Sequence, residues 1–145
     1  MPDARTTRLV DAYERLTPER LPELLALYDD TAAFKDPFND VRGRAAIGRI
    51  FRHMFEELRE PRFAVQVAAS EGDQAFLTWE LHFKRQGSGQ AMAIRGASHI
   101  HYSPAGLVRM HRDYWDAAEE LYAKLPLLGL LMRALKRRLA TPQPR

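Results

Sequence analysis

The run HRDYWD, His111–Asp116, sets an imidazole and a carboxylate two residues apart in the strand-like half of the chain. In extended backbone alternate side chains share a face, so His111, Asp113 and Trp115 stand together and Arg112, Tyr114 and Asp116 oppose them. A carboxylate turned inward beside indole and phenyl rings loses hydration, which raises its pKa and improves it as a base near neutral pH. An imidazole on the same face can hold that carboxylate or act as its complementary acid. The chemistry open to the pair is proton transfer. The alternative is an aspartate at the rim of the fold, paired with an arginine.

The elements that must position this pair change character near Pro61. Before it, TRLVDAYERL carries Leu9, Val10, Tyr13 and Leu16 at helical spacing. TPERLPELLALY predicts a second helix with Thr17 as N-cap and Pro18 in first place, weakened by Pro22. TAAFKDPF predicts a short edge strand closed by Pro37, and GRAAIGRIFRHMFEEL an amphipathic helix. After Pro61, RFAVQVAAS, QAFLTWELHF, QAMAIRGASHIHY and LVRMHRDYW alternate as strands, separated by EGD, KRQGSG and SPAG. Short turns between consecutive strands imply an antiparallel meander, and helices followed by such a sheet are an α+β pattern. In the second of these strands Ala75, Leu77, Trp79, Leu81 and Phe83 form the inward set. In the third the inward set is Ile94, Gly96, Ser98, Ile100 and Tyr102, which leaves Glu80, His82, His99 and His101 outward or in a subunit interface.

Composition narrows the function classes. The chain has 145 residues, 46% of them apolar and 28% charged, enough for one domain with a real core. It has no cysteine, which excludes disulfides and thiolate chemistry, and a cytoplasmic location is expected. The N-terminus carries acids and lacks the apolar stretch of a signal peptide. No apolar run approaches the ~20 residues of a membrane span. Six of the 22 bases follow Leu121 with no acid among them, leaving 16 bases against 19 acids in the body. Such a body is unlike a nucleic-acid-binding domain, so no nucleic-acid partner is expected. The basic tail KLPLLGLLMRALKRRLA repeats leucine every four residues, at Leu127, Leu131, Leu135 and Leu139. It predicts an amphipathic helix over 124–145, appended to a domain over 1–123. Packing on its own domain or on a partner subunit is expected of it ahead of an anionic membrane surface. His99 and His101 lie two apart, but no zinc-type helical spacing occurs, so no metal is expected.

Two segments carry a resemblance to a known superfamily. ALYDDTAAFKDPFNDVRG with AAIGRIF behind it, and SPAGLVRMHRDYWD, resemble the small cone-shaped α+β domains of the nuclear transport factor 2-like superfamily. That group includes ketosteroid isomerases, SnoaL-like polyketide cyclases and limonene epoxide hydrolases. The resemblance covers about residues 9–120. It implies a curved sheet wrapped on helices around an apolar pocket open at one end, with His111, Asp113 and Trp115 facing in. It puts Asp113 where cyclases and epoxide hydrolases keep a general base, Asp36 where ketosteroid isomerases keep theirs, and Tyr13 at the isomerases' oxyanion-binding tyrosine. Ser98 stands in place of their protonated aspartic acid. Trp79, Leu81, Phe83, Phe51, Met54, Phe38 and Trp115 are the implied pocket wall. Aspartate at position 36 also suits a turn, and Tyr13 also suits a core. An arginine–aspartate pair of the epoxide hydrolases has no counterpart, because Trp79 and Leu81 fill the inward positions.

The implied function is a cofactor-free isomerase- or cyclase-like enzyme acting on a small apolar carbonyl compound. Asp113, with His111, would take a proton beside the carbonyl while Tyr13 and Ser98 donate to the developing enolate oxygen. The alternative is a non-catalytic ligand-binding or oligomerisation module, or, last, a protein-binding scaffold. A homodimer through the outer sheet face is expected.

Overall fold

The computed structural model describes residues 1–120 and 126–144, the latter by backbone alone at 126–128. Their contacts divide into two compact units, Met1–Trp115 and Asp116–Arg145. The boundary expected between 123 and 124 lies outside the described residues.

The first unit begins with α1 (Ala4–Glu14), whose N-cap Asp3 accepts from the Thr6 amide at 3.0 Å. Arg5 clamps the same aspartate at 2.7 Å and Asp73 at 2.9 Å. The Thr6 hydroxyl meets Ser70 Oγ at 2.9 Å and the Tyr102 hydroxyl at 2.8 Å, pinning the helix start onto the sheet. Thr6, Leu9 and Tyr13 form the buried stripe. The second predicted helix is only α2 (Leu21–Leu25). Thr17 does cap, accepting from the Arg20 amide at 3.1 Å, but it caps a turn. The helix starts later, with Pro22 in its first turn, where the missing N–H is harmless. α3 (Arg44–Glu57) follows a short hairpin and buries Ile47, Gly48 and Phe51.

Six strands form one sheet: β1 (Tyr28–Lys35), β2 (Asp40–Arg42), β3 (Arg59–Glu71), β4 (Gln74–Lys84), β5 (Ala91–Tyr102) and β6 (Val108–Tyr114), in the order β2-β1-β6-β5-β4-β3. The meander β3–β6 is antiparallel, as alternation predicts. β1 corrects the expectation of an edge strand. It starts earlier, at Tyr28, and lies between β2 and β6, running parallel to β6 with Phe34 opposite His111. Parallel neighbours need a long crossover, which α3 and the meander provide. The inward sets of β4 and β5 pack on the helices in two apolar clusters, one around Tyr28, Phe34 and Phe51, the other around Trp79, Leu81 and Phe83.

In the second unit α4 (Ala117–Glu120) is followed by α5 (Pro126–Leu139), which ends in Lys136, Arg137 and Arg138. Leu130, Leu131, Leu135 and Leu139 of α5 are exposed. No described helix is long and apolar enough to cross a membrane.

Candidate functional site

Four adjacent strands, β1, β6, β5 and β4, and the helix α1 bring the polar residues together. Ser98 on β5 faces Asp113 on β6, and Ile100 faces His111. Ser98 Oγ donates to Asp113 Oδ1 at 2.5 Å, and His111 Nε2 meets the same oxygen at 2.5 Å. Asp113 Oδ2 has no hydrogen-bond partner among the described residues, and the side chain is 17% exposed. Trp79 Nε1 donates to Ser98 Oγ at 2.8 Å, so indole, hydroxyl and carboxylate form one chain. Gly96 makes this possible. A Cβ there would lie 2.5 Å from two atoms of the Trp79 ring, which packs closely on Gly96, its cross-strand partner in β5.

On the other side of His111, Nδ1 meets the Tyr28 hydroxyl at 2.7 Å, and that hydroxyl meets the Tyr13 hydroxyl at 2.5 Å. Tyr28 is fully buried and was missed by pattern, because its segment reads as the end of a helix. A register shift between Tyr28 and Ala33 keeps Tyr28 inward while Asp30 turns out to Arg44 at 2.7 Å. The Arg44 guanidinium also donates to the Tyr28 carbonyl at 2.6 Å, fixing that irregular start of β1. Burial pushes the Tyr13 and Tyr28 phenols well above the ordinary tyrosine range, so both remain hydroxyls at neutral pH. His111 itself is 2% exposed and packs against Phe34, ring centroids 4.7 Å apart.

Tyr13, Phe51, Phe63, Val65, Leu77, Trp79, Ser98, His111 and Asp113 enclose a hollow of about 30 Å³. The expected open pocket is thus narrowed to room for one or two waters, against the several hundred Å³ of a typical ligand site. Phe51 and Trp79 of the expected wall line it, while Phe63, Val65 and Leu77 take places not foreseen. Leu81, Phe83, Met54 and Trp115 pack in the second apolar cluster instead, and Phe38 is exposed with its edge toward Trp115.

Asp36 is held apart from this group. Its Oδ1 accepts from the amides of Phe38 at 2.8 Å and Asn39 at 2.7 Å, and both oxygens take the Asn39 side-chain amide at 3.1 Å. It closes the β1–β2 turn. Ser98 is in the group, but its single hydroxyl proton goes to Asp113, which replaces the expected donation to a substrate oxygen. The outward histidines have local partners: His82 donates to Glu80 at 2.9 Å and His99 to Gln74 at 2.6 Å. Among the described residues no three histidine, aspartate or glutamate side chains are grouped to hold a metal.

A family profile for the SnoaL-like domain matches residues 7–111. The chain belongs to the SnoaL-like domain family. Within the wider nuclear transport factor 2-like superfamily, several solved structures share the fold. One is a protein from Catenulispora acidiphila with a ketosteroid isomerase-like fold, solved with trimethylamine. It has 15% identity and a TM-score of 0.72 over 87% of this chain and 96% of that one. RV0760c from Mycobacterium tuberculosis, in complex with estradiol-17beta-hemisuccinate, has 18% identity and a TM-score of 0.66 over 79% and 95%. TerC, co-crystallized with polyporic acid, has 13% identity and a TM-score of 0.70 over 81% and 95%. These likenesses establish the SnoaL-like architecture and leave the reaction to the residues of the site. A comparison with curated proteins finds no match.

Proposed function

We propose that this SnoaL-like domain is a cofactor-free enzyme that moves a proton on a small, largely apolar carbonyl compound. One observation carries the reading: Asp113 lines the hollow with one oxygen held by Ser98 and His111, while its other oxygen has no hydrogen-bond partner among the described residues. A general base needs that division, with orientation fixed on one side and reach on the other. Tyr13 lines the same hollow and is the donor placed to polarise the carbonyl oxygen. Asp36 takes no part. A hollow this small admits only a compact group unless Phe51, Phe63 or Val65 swings aside, so the substrate's reacting end is slender.

The test is exchange of carbonyl α-hydrogens for deuterium in heavy water, over a panel of 3-keto steroids, hydroxylated enones and polyketide-like aromatics. Asp113→Asn is expected to slow exchange by about 10²–10⁴-fold. Equal rates in the two proteins remove Asp113 as the base.

A second reading, a non-catalytic oligomerisation module, is favoured by the outer sheet face. Val67, Phe76 and Tyr114 are exposed there around a depression of about 370 Å³, larger than the hollow. Pairing of the SnoaL-like domain with a second copy through this face is compatible with either reading, so Asp113-dependent exchange decides between them.

A further inference from the structure

The unexplained feature is Tyr28. It is fully buried, does not line the hollow, and yet its hydroxyl bridges Tyr13 and His111. Donor and acceptor capacity fixes the direction of every bond. With Asp113 ionised, its Oδ1 only accepts, so His111 Nε2 carries a proton and donates. A neutral His111 then has a bare Nδ1, which accepts from Tyr28, and Tyr28 in turn accepts from Tyr13. In this state the Tyr13 proton points away from the hollow. A second proton on His111 sits on Nδ1 and reverses the whole row. Nδ1–H donates to Tyr28, Tyr28 to Tyr13, and the Tyr13 hydroxyl turns to the hollow. Tyr13 lies 3.4 Å from Nδ1, so it reaches that nitrogen properly only through Tyr28.

We infer that Tyr28 is a positioning residue that joins His111 to Tyr13 as a proton wire, so that Tyr13 acts on a carbonyl oxygen only when His111 is doubly protonated. The inference rests on the proton-transfer reading above and deepens it. The step balances within the site. Asp113 Oδ2 takes a proton from carbon, and the electron pair left behind moves onto the carbonyl oxygen. That oxygen takes the Tyr13 proton, Tyr13 takes that of Tyr28, and Tyr28 takes the Nδ1 proton. The start is carboxylate and imidazolium; the end is carboxylic acid, neutral imidazole and enol. No net charge is created in a site from which water is nearly excluded, where an uncompensated charge is costly. Raised phenol pKa values suit a concerted hand-over in which neither tyrosine becomes a phenolate. The titratable groups that face His111 are Tyr13 from α1, Tyr28 from β1 and Asp113 from β6. Phe34 of β1 and Ile100 of β5 supply the apolar contacts.

The test uses the full chain with 15N-labelled histidine, followed by long-range proton–nitrogen correlation across pH. Neutral His111 is expected to carry its proton on Nε2, with Nδ1 showing the shift of a hydrogen-bond acceptor. Tyr28→Phe should move the Nδ1 resonance, and the double variant Tyr13→Phe/Tyr28→Phe should move it further, to an unbonded position. Neutral His111 protonated on Nδ1, or a double variant with Nδ1 unmoved, overturns the wire. If either variant fails to fold, the wild-type tautomer alone decides. With a turned-over substrate, kcat/KM should fall with rising pH, because the wire needs the second proton on His111. Tyr28→Phe should erase that limb and lower the rate by about 10²-fold. A rate loss equal at every pH would mark Tyr28 as merely structural. The spectra need no substrate: an intact wire without exchange removes only the enzyme reading, and Asp113-dependent exchange without the wire removes only this inference.

Discussion

Replacing Gly96 by alanine tests the packing on which the site is built. The added Cβ would stand 2.5 Å from two Trp79 ring atoms and 3.1 Å from Trp115 Cβ. Carbon atoms rest about 3.5–4.0 Å apart, so the indole must withdraw by roughly 1 Å or more. Trp79 is 7% exposed, packed in the second apolar cluster, and the space beside it is the hollow of about 30 Å³. Overpacking of this kind costs about 1–3 kcal/mol. Withdrawal also breaks the 2.8 Å bond from Nε1 to Ser98, a further ~0.5–1.5 kcal/mol. Alanine restrains the unfolded chain, which offsets about 0.4–1 kcal/mol. The net loss is about 0.5–4 kcal/mol, or a fall of roughly 2–16 °C in Tm for a domain of this size. Thermal unfolding followed by fluorescence is a direct assay, because the chain has only two tryptophans, Trp79 and Trp115, and both border the new methyl group. The decisive comparison is a double-mutant cycle with Trp79→Phe, whose smaller ring lacks the clashing atoms. Gly96→Ala should be about 1–2 kcal/mol less harmful in that background. Additive effects, or a Gly96→Ala protein that melts with the wild type and keeps its emission, would refute the claim that Gly96 seats the indole.

Ser98→Ala leaves the buried Trp79 N–H unpaired and strips one donor from Asp113, so chemical denaturation should show a loss of about 1–3 kcal/mol, with Ser98→Thr closer to wild type. The Asp3 carboxyl is held below its ordinary 3.8 by its hydrogen bond to Arg5, so its contribution to stability is present above that pH and lost as pH falls through the lower folded value. The Tm gap between wild type and Asp3→Asn should therefore close on acidification below 3.8, and a gap independent of pH would contradict it. On the outer sheet face, Phe76→Glu with Val67→Lys should convert a dimer to monomer in sedimentation experiments, while an unchanged association state would remove this face from the interface.

The amino-acid pattern by itself determined the four-strand meander, the inward sets of β4 and β5, and the pairing of His111 with Asp113 on one face. Those features depend on side-chain alternation and turn residues, which are local. The superfamily was likewise legible, through YDDTAAFKDPF and HRDYWD. Only the tertiary structure decided the place of β1. Its parallel seat beside β6 comes from a crossover of some 70 residues, and no local period encodes such a partner. That seat, with the register shift that turns Asp30 outward, brings Tyr28 onto His111. Side-chain packing, again non-local, set the width of the hollow and separated Asp36, satisfied by its own turn, from Asp113, whose second oxygen has no partner among the described residues. Period and propensity show which side chains share a face; which of them touch is decided by the strands and helices that close around them.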